Sequence, residues 1–263
     1  MKKIKIKVLT LFPNLITSYL KDTLLAKALE KKLFSVEILD LRLFSQNKYN
    51  SVDDTICGGG DGMLFQYKPL ALAMTQLGVS QKNCSGKKVV YLSPQGQKWS
   101  FEKAKEMLGN EEIILVCGRY AGVDERFVHQ FVDEEISIGD FVLSGGELAA
   151  LVMIESMSRH IAGVLGHSLS ANLDSFENGL LEAPQFTKPQ KIDGLSIPEI
   201  LLSGNHQKIN EWRQNISILV TYKKRPELLV EKKILWDQIE KFYNEMSADD
   251  KDLLGLVGLE FKK

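Results

Sequence analysis

Ile136-Ser-Ile-Gly-Asp-Phe-Val-Leu-Ser-Gly-Gly-Glu-Leu148 joins a strand-like run to a helix-like one through three glycines, and its reading decides the fold. Gly139, Gly145 and Gly146 carry no Cβ, so the backbone there can turn sharply and approach a bound molecule closely. Between them lie the apolar Phe141, Val142 and Leu143, where a loop that only turned would be polar. The stretch reads as one wall of a ligand site, with backbone donors and acceptors beside it. Taken alone, it also fits a buried turn in an α/β core.

Two strands upstream end in the same way. Lys87–Leu92 runs into Ser93-Pro-Gln-Gly96, and Glu112–Cys117 runs into Gly118-Arg-Tyr-Ala-Gly122. Helices are expected over Phe101–Leu108 and from Asp124 to about Phe131, followed by a brief strand near Glu135–Ser137. In open parallel sheets ligands sit at the carboxyl ends of the strands, so three such loops should converge on one pocket.

Further toward the N-terminus, Lys3–Leu11 alternates lysine with Ile4, Ile6 and Val8 and reads as a strand. Asn14 is placed to cap one helix carrying Leu15, Tyr19, Leu24, Leu25, Ala28 and Leu29, and Ser35–Leu41 completes a β-α-β unit, whose crossover should be right-handed if the two strands lie parallel. Residues 42–66 form a long connection with Val52-Asp53-Asp54 and Cys57-Gly-Gly-Gly-Asp-Gly-Met63, of a length that usually signals function. A helix over Tyr67–Leu77 ends at Gly78.

On the other side, Glu147–His160 is an apolar helix whose Leu148, Leu151, Val152, Ile154 and Met157 turn inward or against a second subunit. Arg159 closes it, where a cation suits the helix dipole. Glycines, Pro184 and serines between 161 and 188 suggest a linker or lid. Helical patterns return over Pro198–Ser203, Asn205–Val220 and Pro226 to about Glu245. The expected division is an α/β domain over 1–160, a flexible segment over 161–187 and a small helical domain over 188–263.

Composition narrows the class. With 263 residues and 44% hydrophobic content the chain supports a sizeable core. It has no apolar run near the ~18 residues a membrane helix needs. Because Met1-Lys-Lys-Ile-Lys-Ile-Lys7 does not lead into a signal sequence, a cytoplasmic protein is expected. Cys57, Cys84 and Cys117 show no disulfide or zinc spacing, and Cys117 reads as a small buried residue. A net charge of −1 leaves nucleic-acid binding to local clusters: Lys87-Lys88, Lys188 with Lys191, and Lys223-Lys224-Arg225. Leu11-Phe-Pro-Asn14 lacks the glycine fingerprint of a Rossmann site, and no P-loop, zincin or α/β-hydrolase motif occurs.

The accumulated motifs resemble one family closely, the bacterial tRNA (guanine-N1)-methyltransferases of the TrmD type in the SPOUT superfamily. The residues that carry the likeness run along nearly the whole chain: Leu9-Thr-Leu-Phe-Pro13, Val52-Asp-Asp54, Gly58-Gly-Gly60, Gly62-Met-Leu64, Tyr91-Leu-Ser-Pro-Gln-Gly96, Cys117-Gly-Arg-Tyr120, Asp124-Glu-Arg126, Asp133-Glu-Glu135, Ser137 to Leu148, Gly163-Val-Leu-Gly-His167, Asp174-Ser-Phe176, Leu202-Ser-Gly-Asn-His206 and Trp212-Arg213.

The resemblance implies a SPOUT-type parallel sheet with a trefoil knot, a helical C-terminal domain that binds tRNA, and an active site shared across a homodimer. It implies S-adenosylmethionine (SAM) as methyl donor and N1 of guanosine 37, just 3′ of the anticodon, as acceptor. SAM contacts carry over to Leu92, Ser93, Pro94, Gln95, Gly96, Gly118, Tyr120, Gly122, Ile138, Gly139, Asp140, Phe141, Val142, Leu143, Gly145 and Gly146. The general base falls on Asp174, which on its own also reads as an N-cap or turn residue. Arg159 falls on the catalytic arginine. Phosphate contacts are expected from Lys188, Arg213, Lys223, Lys224 and Arg225, with neither DNA nor membrane as partner. The family's magnesium ion has no independent signal here. Ala121 stands where the family commonly has glutamate, and Asp61 where it commonly has proline. The competing readings are a SAM- and tRNA-binding protein without catalysis, and a ribose 2′-O-methyltransferase.

Overall fold

The computed structural model describes residues 3–165, 174–230 and 232–261. Its contacts divide the chain into two units, Met1–Ser168 and Leu169–Lys263. Gly166 and His167, and two of the serines between 161 and 188, Ser168 and Ser170, lie outside the described residues.

The first unit is built on a five-stranded parallel sheet. Strands β1 (Lys5–Thr10), β2 (Ser35–Asp40), β5 (Lys87–Lys98), β6 (Glu112–Cys117) and β7 (Glu134–Ser137) lie in the order β2-β1-β6-β5-β7. Near-continuous apolar runs mark strands covered on both faces, and alternate residues here do enter opposite cores. Ile113, Leu115 and Cys117 of β6 point into one core, and Ile114 and Val116 into the other. The first core also takes the inner faces of α1 (Pro13–Leu20), α2 (Thr23–Glu30), α4 (Phe101–Met107) and α6 (Glu147–Ser158). On the opposite face the second core takes α3 (Tyr67–Gln76) and α5 (Glu125–Phe131).

Charges close the far end of the sheet. Lys7 pairs with Glu112 at 3.2 Å, and Lys88 and Lys103 pair with Glu134 at 2.7 and 2.8 Å. Lys88, one of the basic pair noted in the sequence, is thereby engaged within the fold.

Several elements differ from expectation. The first helix is two, because the backbone is extended at Asp22 and Thr23 turns left-handed at φ 69°. Phe12 rather than Asn14 is the N-cap, since Pro13 takes the first helical position, where its missing N–H costs nothing. The 42–66 connection contains an antiparallel hairpin of β3 (Asp53–Thr55) and β4 (Met63–Phe65), which the glycine content obscured.

In the second unit α7 (His206–Lys224) is capped by Asn205, whose side chain accepts from the Lys208 N–H, and buries Ile209, Trp212, Ile216, Leu219 and Val220. The single helix expected over Pro226–Glu245 is instead a short 3-10 turn, Pro226–Leu229, and a helix α8 (Trp236–Glu245). Ile234 and Trp236 pack on the core of this unit, and tertiary packing overrides the local helical pattern. A two-stranded ribbon, β8 (Lys191–Ile192) with β9 (Leu195–Ser196), and a final helix α9 (Ala248–Leu253) complete the unit.

Candidate active site

The bulge within β5 after Leu92 and the loops that follow β6 and β7 meet in one cavity of about 300 Å³. Each loop is shaped by a different local cause.

On β5, Leu92 and Gln97 both face Ile136 of β7, so Ser93–Gly96 are extra residues that bulge out of the ladder. The bulge is pinned by the Gln95 N–H donating to Ser93 Oγ at 3.1 Å. A Cβ on Gly96 would collide with the Glu135 carbonyl, so glycine lets the returning strand lie on β7. Gly96 itself is not among the residues that line the cavity.

The loop after β6 rests on Tyr91. A Cβ on Gly118 would come within 2.8 Å of the Tyr91 ring, and one on Gly122 within 3.1 Å of its hydroxyl. Burial above all, with the charge of Glu135 adding, pushes the Tyr91 hydroxyl up to about 12. The same loop is buttressed by β4: the Ala121 N–H donates to Met63 O at 3.0 Å and the Phe65 N–H to Gly122 O at 3.1 Å. Tyr120 holds a left-handed φ of 58°, a conformation that costs a non-glycine residue about 1 kcal/mol or more. Asp61 is exposed, in a loop whose Gly58, Gly59, Gly60 and Gly62 all have positive φ, two residues before Met63.

The third segment begins where Ser137 Oγ donates to Gly139 O and accepts from the Gly139 N–H, at 3.0 and 3.2 Å. It ends with the Gly146 N–H donating to Gly118 O at 3.0 Å and an antiparallel bridge between Gly145 and Arg119. Because β5 lies between β6 and β7, this segment has crossed the end of β5 to reach β6. A Cβ on Gly146 would stand 2.8 Å from Cys117 Cα, so the approach requires glycine. Phe141 and Val142, at the tip, are exposed. Asp140 lies off the wall and pairs with Lys98 at 2.7 Å.

Among the described residues, the wall therefore gathers fourteen of the sixteen positions assigned by resemblance, all except Gly96 and Asp140. It also includes Tyr91, Arg119, Ala121 and Ser144, which were not in that set. Arg119 is the only charged side chain on the wall, and its guanidinium meets Glu147 at 3.1 Å. Nothing in the local sequence marks that pair, whose members are brought together only by the crossing. Cys117, at the end of β6, is buried: burial pushes its thiol up, and the nearby Glu147 adds to this while Arg119 opposes it, which disfavours the nucleophilic thiolate.

Arg159 is exposed at the end of α6. Asp174, in the second unit, is half-buried and opens a tight turn: the Glu177 N–H donates to Asp174 O at 3.3 Å and Phe176 adopts φ 76°. Lys188, Lys223, Lys224 and Arg225 are exposed and Arg213 is half-buried. Lys223 donates to the Gly255 carbonyl, and Arg225 pairs with Glu227, holding that carboxyl below its usual range. Among the described residues no group of three or more His, Cys, Asp or Glu could gather a metal ion, and no helix is long and apolar enough to cross a membrane.

Comparison with known proteins agrees with this architecture. Residues 4–231 match the family model described as tRNA (Guanine-1)-methyltransferase TrmD. The chain is 44% identical over 245 residues to the tRNA (guanine-N(1)-)-methyltransferase of Latilactobacillus sakei, covering 93% of this chain and 98% of that protein. Its identity to the enzyme of the same name from Proteus mirabilis is 46% over 224 residues, covering 85% and 89% of the two chains. For Clostridioides difficile it is 44% over 221 residues, covering 84% and 95%. With the match spanning both units and the strand-end loops in place, this chain belongs to the tRNA (guanine-1)-methyltransferase family.

Proposed function

We propose that this protein transfers the methyl group of SAM to N1 of guanosine 37 in tRNA. The observation that carries the reading is the cavity formed by three loops at the strand ends, in a chain of this family. Its chemistry suits the donor: glycines allow close backbone approach, and Phe141, Val142 and Tyr120 offer apolar surface for a flat base. Its one charged wall residue, Arg119, is neutralised by Glu147, so it presents no bare cation to a sulfonium. The crossing of β5 by residues 138–146 supports a trefoil knot, an arrangement the family shares and general connection rules disfavour.

Bound SAM supplies an electrophilic methyl on sulfur. The protein must handle a proton, because guanine N1 is protonated and its lone pair is poorly available. As the N1–CH3 bond forms and the S–CH3 bond breaks, the N1 proton passes to Asp174. A carboxylate with an ordinary pKa of ~3.9 is a weak base, so charge developing on the guanine must be stabilised as the proton leaves. Arg159, aimed at O6, performs that role with a permanently charged guanidinium.

The 161–187 segment acts as a lid that brings Asp174 to the site when tRNA binds, and residues 188–263 hold the tRNA through Lys188, Arg213, Lys223, Lys224 and Arg225. The enzyme works in the cytoplasm as a homodimer with its sites shared between subunits. Leu148 and Val152, one helical turn apart on α6, are 58% and 44% exposed and suit such an interface.

Labelled-methyl transfer to two tRNA transcripts differing only in G or A at position 37, by wild type and by Asp174→Ala, tests the reading. Incorporation should require both the guanosine and Asp174. Incorporation indifferent to both would refute it and point to ribose chemistry.

A further inference from the structure

Glu147 is a carboxylate 2% exposed at the first turn of α6, where a solvated acidic residue would ordinarily stand. It faces inward because two other loops meet it. Thr10, at the end of β1, donates its hydroxyl to Glu147 Oε1 at 2.7 Å, and that hydroxyl accepts the Phe12 N–H at 2.9 Å. Arg119, from the loop after β6, donates through Nε to Oε1 at 3.3 Å, and its terminal nitrogen lies 3.1 Å from Oε2. The guanidinium also lies 4.0 Å above the Phe12 ring, a cation–π contact that closes the set.

A second observation ties the pair to the cavity wall. A Cβ on Gly145 would fall 2.5 Å from Glu147 Oε2 and 2.6 Å from Arg119 Nε. The third loop therefore passes directly against the ion pair, and Arg119 both forms the bridge to Gly145 and lines the cavity. Without the carboxylate, the guanidinium on the cavity wall loses its counter-charge and the contact that fixes it.

We propose that Glu147 is a positioning residue for the methyl-donor site: acting through Arg119, with Thr10 fixing its own orientation, it holds the 118–122 loop against the 145–146 crossing in the shape that admits the donor. The proposal rests on the reading of this cavity as the SAM site.

The test is calorimetric titration of SAM into the full-length protein, paired with thermal unfolding and with KM measured separately for SAM and tRNA. Glu147→Gln should raise the Kd and KM for SAM on the order of tenfold to a hundredfold, with the KM for tRNA unchanged. Thr10→Val should give a smaller rise in the same direction. The decisive comparison is made in an Arg119→Met background, which keeps an unbranched side chain there while removing the cation. There Glu147→Gln should be neutral or restorative, because it removes a buried carboxylate left without its cation. Losses that add, or SAM affinity unchanged in Glu147→Gln and Thr10→Val despite a lower melting temperature, would show a merely structural role and overturn the proposal. If wild type itself binds no SAM, the assignment of the cavity fails as well, a result distinct from tight wild-type binding that the variants leave intact.

Discussion

Gly146→Ala isolates the closest approach in the site. Gly146 has φ −78° and ψ −6°, which alanine adopts without strain, although at this N-cap position alanine is itself less favourable than glycine by roughly 0.5–1 kcal/mol. Harm beyond that must come from space. The new methyl would stand 2.8 Å from Cys117 Cα, with Leu92 Cβ at 3.2 Å and Cys117 Cβ at 3.3 Å. The nearest atom is backbone in a central strand and cannot rotate away, so the crossing must lift by about 0.6 Å to restore ordinary contact. That shift stretches the Gly146 N–H···O Gly118 bond from 3.0 Å toward the limit of a useful hydrogen bond. Overpacking of this kind costs about 1–3 kcal/mol. Urea unfolding, with the midpoint converted through a common slope, should show that loss, and titration with SAM should show Kd raised about tenfold. A variant within about 0.3 kcal/mol of wild type, with unchanged SAM affinity, would refute the claim that the wall depends on this contact.

Other outcomes follow from particular residues. Leu148→Glu should weaken self-association on the order of a hundredfold in sedimentation experiments, and an unchanged dimer would remove the α6 face from the interface. Tyr91, its hydroxyl raised to about 12, should stay protonated while an unfolded tyrosine titrates near 10. Stability is then full below pH ~10 and falls by about 3 kcal/mol as pH rises toward 12. Stability measured against pH should fall over that window, and Tyr91→Phe should flatten the fall. Binding to tRNA should weaken steeply with salt, and Lys224→Ala should reduce the slope by about one. A flat salt response would contradict the phosphate contacts.

Where apolar periodicity and strand-end glycines coincided, sequence and structure agree closely. β6 is Glu112–Cys117 as read, the sheet is parallel, and the loops after Leu92, Cys117 and Ser137 share one cavity. The misread elements had local patterns that tertiary contacts override. Leu15–Leu29 has helical spacing throughout, but φ 69° at Thr23 divides it. Pro226–Glu245 is interrupted where Ile234 and Trp236 seek the core. The Arg119–Glu147–Thr10 set was invisible for a different reason: its members are separated by 28 and 137 positions, and only the crossing of β5 brings them together. A glycine pattern can announce that backbone comes close, but not which charges it passes.

The most direct test is the chemical identity of the product nucleoside. After reaction with SAM and a tRNA transcript bearing guanosine 37, nuclease digestion and mass spectrometry should yield one methylated guanosine, carrying its methyl on the base at N1 with the ribose 2′-hydroxyl free. A methyl on the 2′-oxygen, or on any other nucleoside, would contradict the account.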